Sequence, residues 1–147
     1  LHVDLGCMQG IIPRSEAVFS RDGEPIKDIA IIRPAADPFD PRVVRATMGA
    51  LFSLRVKQYD SFESYRAEYP GHALYPFMLD GSVMLEEATS QVQTPYALVF
   101  GNEGSGLPAS FARLGQPVRI PSNEKIDSLN LSIAAAIGIY GFTQKKP

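Results

Sequence analysis

The chain has 147 residues, 45% of them hydrophobic and 20% charged, enough for one domain around a single core and too apolar for a disordered segment. Its formal net charge of -2 excludes a global field that draws in nucleic acid, and no apolar run nears the roughly 18 residues of a membrane span. The single cysteine, Cys7, excludes an internal disulfide, and with only His2 and His72 beside it the soft ligands are too few for a zinc site. A lone thiol and the lack of a signal-peptide pattern in the first residues lead us to expect a cytoplasmic protein.

In chain order, Leu5 to Arg14 has turn and helix-start character, and Ser15–Phe19 reads as a short helix. Ile29–Ile32 is a continuous apolar run, the pattern of a strand buried on both faces. Asp37-Pro-Phe-Asp-Pro41 opens a helix, with Asp40 as cap and Pro41 at a position whose amide has no partner anyway. Val44, Met48 and Leu51 would form its apolar face, joined by Thr47 with its hydroxyl bonded back to the helix. Ser53–Tyr59 alternates like an edge strand. Ser61 caps a helix carrying Phe62, Tyr65 and Tyr69, which Pro70-Gly71 ends.

Leu74–Leu79 predicts a strand, part of which Pro76 demotes to an edge or an irregular start, and Val83–Ala88 a short helix. Tyr96–Phe100 is an apolar strand running into Gly101-Asn-Glu-Gly-Ser-Gly-Leu-Pro108. Pro117–Ile120 is a second apolar run, followed by Ser128-Leu-Asn-Leu-Ser132 and a helix over about Leu129–Phe142. Gly138 and Gly141 lie at helical spacing in that helix and allow another backbone close. Strands alternating with helices, with no hairpin dipeptide, predict an α/β domain spanning 1–147: a mainly parallel sheet with helices on both faces. Ligands in such sheets sit at the carboxyl ends of strands, where the loops from Asp80, Gly101 and Pro121 begin.

Each loop residue has an ordinary reading beside the functional one. The glycines of 101–106 reach positive φ and admit a ligand to the backbone, but they match neither the dinucleotide nor the P-loop pattern. Glu103 is a candidate base or a fastener of its loop, and Ser128 and Asn130 precede a helix, where capping is the default. Leu79, Ile120 and Leu129 would ordinarily be core. Arg33, Arg42, Arg45, Arg55 and Lys57 form either a solvated face or a phosphate-contacting strip.

Together and in this order, Phe100–Pro108, Ile120-Pro121 and Ser128–Ser132 resemble the second and third motifs of the SpoU/TrmH family of RNA 2′-O-methyltransferases. Asp37–Phe52 resembles the stretch before them, so the match covers roughly residues 29–142. The resemblance implies the SPOUT fold with a C-terminal deep trefoil knot, which periodicity alone would not have shown. It also implies S-adenosylmethionine as cofactor, no metal, and a homodimer with sites at its interface. Leu79, Gly81, Gly101, Ile120 and Leu129 would hold the cofactor, and Arg14, Glu103, Ser128 and Asn130 would serve the chemistry. The family's first motif, Asn-x-Gly-x-x-x-Arg, is altered: aligning Gly10 and Arg14 puts Met8 at the asparagine, and the register one back puts Cys7 there and Pro13 at the arginine.

The expected activity is methylation of a ribose 2′-hydroxyl in tRNA or rRNA, with an RNA-binding extension before Leu1 as a further expectation from the acidic balance. The altered first motif motivates a second reading, a non-catalytic dimer that binds cofactor or RNA without turnover. An unrelated nucleotide-binding domain has only the Gly-rich turn behind it.

Overall fold

The computed structural model describes residues 9–14, 28–33, 35, 37–102, 104–122 and 129–144, with the backbone alone for 9–14. The elements are β1 (Gln9–Arg14), β2 (Asp28–Ile32), α1 (Pro41–Ala46), β3 (Arg55–Tyr59), α2 (Phe62–Glu68), β4 (Ala73–Pro76), β5 (Val83–Met84), α3 (Leu85–Ala88), β6 (Tyr96–Phe100), β7 (Val118–Arg119) and α4 (Leu131–Thr143). Ala50–Ser53 and Ala109–Arg113 are 3-10 turns.

Five strands form one sheet in the order β3-β2-β1-β6-β4. β2 pairs with β3 in parallel and β4 with β6 in parallel, while β1 runs antiparallel to both of its neighbours, β2 and β6. The mainly parallel sheet is therefore present with one reversed strand near its centre. β3 and β4 are the edges of this sheet, as the alternation of the first predicts and as one of the two readings of Pro76 has it for the second. β7 and β5 extend the β4 side through a bridge from Phe77 to Val118.

β6 decides where the core lies. All five of its residues are buried, and alternate side chains enter two different clusters. Tyr96, Leu98 and Phe100 pack with Tyr75, Val118 and Ala135, Ile139 and Phe142 of α4. Ala97 and Val99 pack with Ala30, Ile32, Tyr65 of α2 and Phe111 of the second 3-10 turn. Helical structure thus covers both faces, as a strand apolar on both sides requires.

The chain departs from the sequence expectation at several places. Val83–Met84, expected as the first turn of a helix over Val83–Ala88, is instead strand β5, because it pairs in parallel with Val118–Arg119, and the helix is confined to Leu85–Ala88. Gln9–Arg14, read as turn and helix start, is strand β1, because Gly10 to Arg14 pair with Phe100 to Tyr96 along β6. The helix begun by Asp40, whose carboxylate accepts from the Arg42 amide at 2.8 Å, stops at Ala46. Met48 and Gly49 turn left-handed at φ 51° and 83°, so the continuous apolar face does not form. Val43 and Leu51 are buried, whereas Met48 is 90% exposed. Thr47 is buried with its hydroxyl donating to the Val44 carbonyl at 2.7 Å, as expected. The helix expected over Ser15–Phe19 lies outside the described residues.

Arg33, Arg42, Arg55 and Lys57 of the basic strip have polar partners. Arg55 makes a forked contact to Asp28 at 2.6 Å, Lys57 reaches Glu68, Arg42 pairs with Asp40, and Arg33 reaches Gln58 and Asp60. Among the described residues no helix is long and apolar enough to cross a membrane.

Below α2, Tyr65 and His72 share a buried hydrogen bond of 2.7 Å, and Tyr69 stacks on the imidazole at 4.7 Å. Burial, and then the charge of Arg66, push His72 below its ordinary value of 6.5. The unfolded chain therefore binds the extra proton first, and stability is lost as pH falls from about 6.5 through the folded-state value. Melting temperature is expected to hold from about pH 8 to 7 and to fall below about 6.5. His72→Gln should flatten that fall in calorimetric scans; an unchanged slope would assign it to other groups.

Candidate functional site

Because β2, β3, β4 and β6 share a direction, the segments after β2, β4 and β6 leave the sheet at the same end, joined there by the end of β7. That is where open α/β sheets bind ligands.

The loop after β6 is closed by its own backbone. Asn102 N–H donates to the Gly106 carbonyl at 3.3 Å, and Gly106 N–H returns to the Asn102 carbonyl at 2.8 Å. Asn102 Oδ1 accepts from the Gly104 amide at 2.7 Å, an Asx turn inside the ring. Gly106 has φ 65°. A Cβ on Gly101 would lie 2.1 Å from the Gly106 carbonyl carbon, so only glycine lets the loop fold back on the strand end.

The loop after β4 is pressed against β7. Met78 N–H donates to Val118 O at 2.9 Å, and a Cβ on Gly81 would lie 2.6 Å from the Val118 carbonyl carbon. Leu79 projects into solvent, 63% exposed, and Ile120 follows β7 half-buried. These two loops therefore lie side by side, next to the Gly101 loop on the adjoining strand.

The last helix supplies the third wall. Gly138 of α4 abuts Phe77 and Phe100 at the carboxyl ends of β4 and β6, and Phe142 meets Tyr75 and Tyr96 nearer their start. α4 thus runs against the strand direction, and Asn130, eight residues before Gly138, stands roughly 12 Å further toward the loops. Asn130 caps α4 through Oδ1, which accepts from the Ser132 and Ile133 amides at 2.9 and 3.4 Å. Leu129 beside it is half-buried.

Leu79, Gly81, Gly101, Ile120, Leu129 and Asn130 are therefore gathered at one end of the sheet. Glu103 and Ser128 lie outside the described residues. Arg14 is paired with Tyr96, four positions along β6 and so roughly 13 Å from Phe100, which precedes the Gly101 loop, at the opposite end of the sheet. Gly10 is the motif-one residue set beside Phe100. Sequence reasoning did not single out Asn102 and Gly106 individually; the available signal was Asn followed by glycines at Asx-turn spacing.

Comparison with known proteins places this geometry. A family model described as the SpoU rRNA Methylase family matches residues 12–140. The chain belongs to the SpoU rRNA methylase family. This SpoU-family chain is 28% identical over 136 residues to ribosomal RNA small subunit methyltransferase G 2 of Syntrophobacter fumaroxidans, covering 92% of the chain and 24% of that protein. It is 32% identical over 104 residues to the 23S rRNA (adenosine(1067)-2′-O)-methyltransferase of Streptomyces laurentii, covering 69% of the chain and 38% of the relative. The chain spans well under half the length of these curated relatives. The structure of an AdoMet-bound rRNA methyltransferase from Sinorhizobium meliloti superposes with a TM-score of 0.72 at 31% identity, covering 80% of this chain and 46% of that one.

In this SpoU-family fold, the observed role of the Asn130 side chain is to cap α4. Asn130→Ala should lower unfolding free energy by about 1 kcal/mol or more in denaturant titrations, and an unchanged value would show that the cap adds nothing to stability.

Proposed function

We propose that the chain is an S-adenosylmethionine-dependent RNA methyltransferase domain acting on a ribose 2′-hydroxyl of tRNA or rRNA. The observation that carries this reading is the closed Gly101–Gly106 ring facing the Gly81 loop across the carboxyl end of the sheet. Gly81 and Gly101 let each loop pack directly on neighbouring backbone, and amides and carbonyls of these loops would meet the polar edge of an adenosyl group. Leu79, Ile120 and Leu129 would offer apolar surface for its ring. The residues fit the cofactor, which when bound supplies a methyl group on a sulfonium. The AdoMet-bound state of the Sinorhizobium meliloti relative supports the choice.

The chain's own residues then divide the remaining work. Asn130 holds α4 over the pocket. Glu103 and Ser128 belong by sequence to the two segments bordering it and would orient the ribose by hydrogen bonds. Arg14 sits at the far end of the sheet within one protomer, so we assign it to the site of a second copy, where its cation would meet ribose and phosphate. An ordinary guanidinium stays protonated, so positioning suits it better than proton abstraction. A homodimer has a surface available in α4, where Ile133 is exposed and Tyr140 is 67% exposed on a helix whose other side is core. The C-terminal trefoil knot is part of the same reading, with α4 as its final element.

Incubation with methyl-labelled S-adenosylmethionine and bulk tRNA or rRNA should yield 2′-O-methylated nucleosides on mass spectrometry of the digested RNA. Met8 at the asparagine position of the first motif favours one other reading, a dimer that binds cofactor without turnover. Calorimetric binding without transfer would establish that alternative, and neither binding nor transfer would sink both. Tyr140→Glu should shift the sedimentation coefficient to that of a monomer and abolish transfer, since the proposed site needs a second copy.

A further inference from the structure

Two loops of the pocket and the helix above them meet at one aromatic junction. Phe77 follows the last residue of β4 and Phe100 is the last of β6, and their rings stack at 4.5 Å with 24° between planes. Gly138 of α4 lies against both rings: a Cβ there would come within 2.6 Å of Phe77 Cζ, 2.8 Å of its Cε1 and 3.2 Å of Phe100 Cζ. The Phe77 backbone is held too, its N–H donating to Val99 O at 2.8 Å and its strand bridging to Val118. Its ring is half-buried, with Phe100 stacked on one face and Phe142 at 6.2 Å. The distance from α4 to the strand ends is thus set by the absence of a side chain at position 138.

We infer that Phe77 and Gly138 are positioning residues for the cofactor pocket, fixing how far the capped start of α4 stands from the Gly81 and Gly101 loops. The inference rests on the cofactor reading above. A methyl group at 138 must move either the Phe77 ring or the helix, because the contact it creates is shorter than packed carbons tolerate. A rigid helix carries its shift along its length to Leu129 and Asn130. Ala135, Ile139 and Phe142 still anchor α4 in the core, so the expected loss is of pocket geometry more than of fold.

Titration calorimetry with S-adenosylmethionine, paired with thermal unfolding, tests this on wild type, G138A, F77L, F77L/G138A and F111L. Phe111 lies in the opposite core cluster and serves as a destabilised control. G138A is expected to bind at least about tenfold more weakly while unfolding cooperatively, since misplacements of about an ångström are costly to oriented sites. F77L removes Cζ and Cε1, so F77L/G138A should bind more tightly than G138A, and F111L should bind like wild type. Binding by G138A within about twofold of wild type, no recovery in the double variant, or an equal loss in F111L would each overturn the inference. Should G138A not fold, F77L alone decides, with weaker binding at retained fold supporting and wild-type binding overturning. Failure of wild type itself to bind the cofactor would overturn the reading beneath it.

Discussion

The structure depends on a strand that has no solvent side. β6 is paired along both edges, by β1 and β4, and each face of it is covered by a different hydrophobic cluster. Leu98, Val99 and Phe100 each contribute about 1.5–3 kcal/mol by leaving water. That sum outweighs local costs such as the left-handed Met48, of order 1–3 kcal/mol. A strand so held cannot slip by one residue, because slippage would exchange Tyr96, Leu98 and Phe100 for Ala97 and Val99 on every contact surface. The point at which the chain leaves the sheet, Phe100 to Gly101, is fixed as a consequence.

That fixed exit explains why glycine recurs where backbone meets backbone. Gly101 lies against Gly106, Gly81 against Val118, Gly115 against the Leu74 carbonyl and Gly138 against two phenylalanine rings. At each, a methyl group would occupy space already filled. At the first three the neighbour is main chain, so these contacts are main chain held by main chain. The periphery follows other rules. Arg55 and Lys57 along β3 are exposed and paired with Asp28 and Glu68, and charges on an edge strand discourage its pairing with other chains.

Much of this was legible before any coordinates. The apolar run Tyr96–Phe100 marked the central strand, Asp40, Ser61 and the stretch around Asn130 marked helix starts, and the alternation of Ser53–Tyr59 marked one edge, with Pro76 open between a second edge and an irregular start. Gly101, Ile120 and Leu129 stand in motifs whose order pointed to one end of the sheet, where the strand ends and the start of α4 bring them. The misreadings have physical causes. Met48 and Leu51 fit helical spacing, but Gly49 at positive φ ends the helix, and one glycine's dihedral angle is invisible to periodicity. Gly10 to Arg14 carries turn residues and proline, yet the open edges of β2 and β6 recruit it as a strand.

The sequence by itself determined which segments are buried on both sides and which loops follow them, since burial and turn chemistry are written in residue type and spacing. Only the tertiary structure decided the reversed direction of β1, the distance of Arg14 from the Gly101 loop and the approach of Gly138 to Phe77 and Phe100. Strand direction depends on hydrogen-bond partners far away in the chain. Helix approach depends on the space between side chains from separate elements, and no local pattern encodes either.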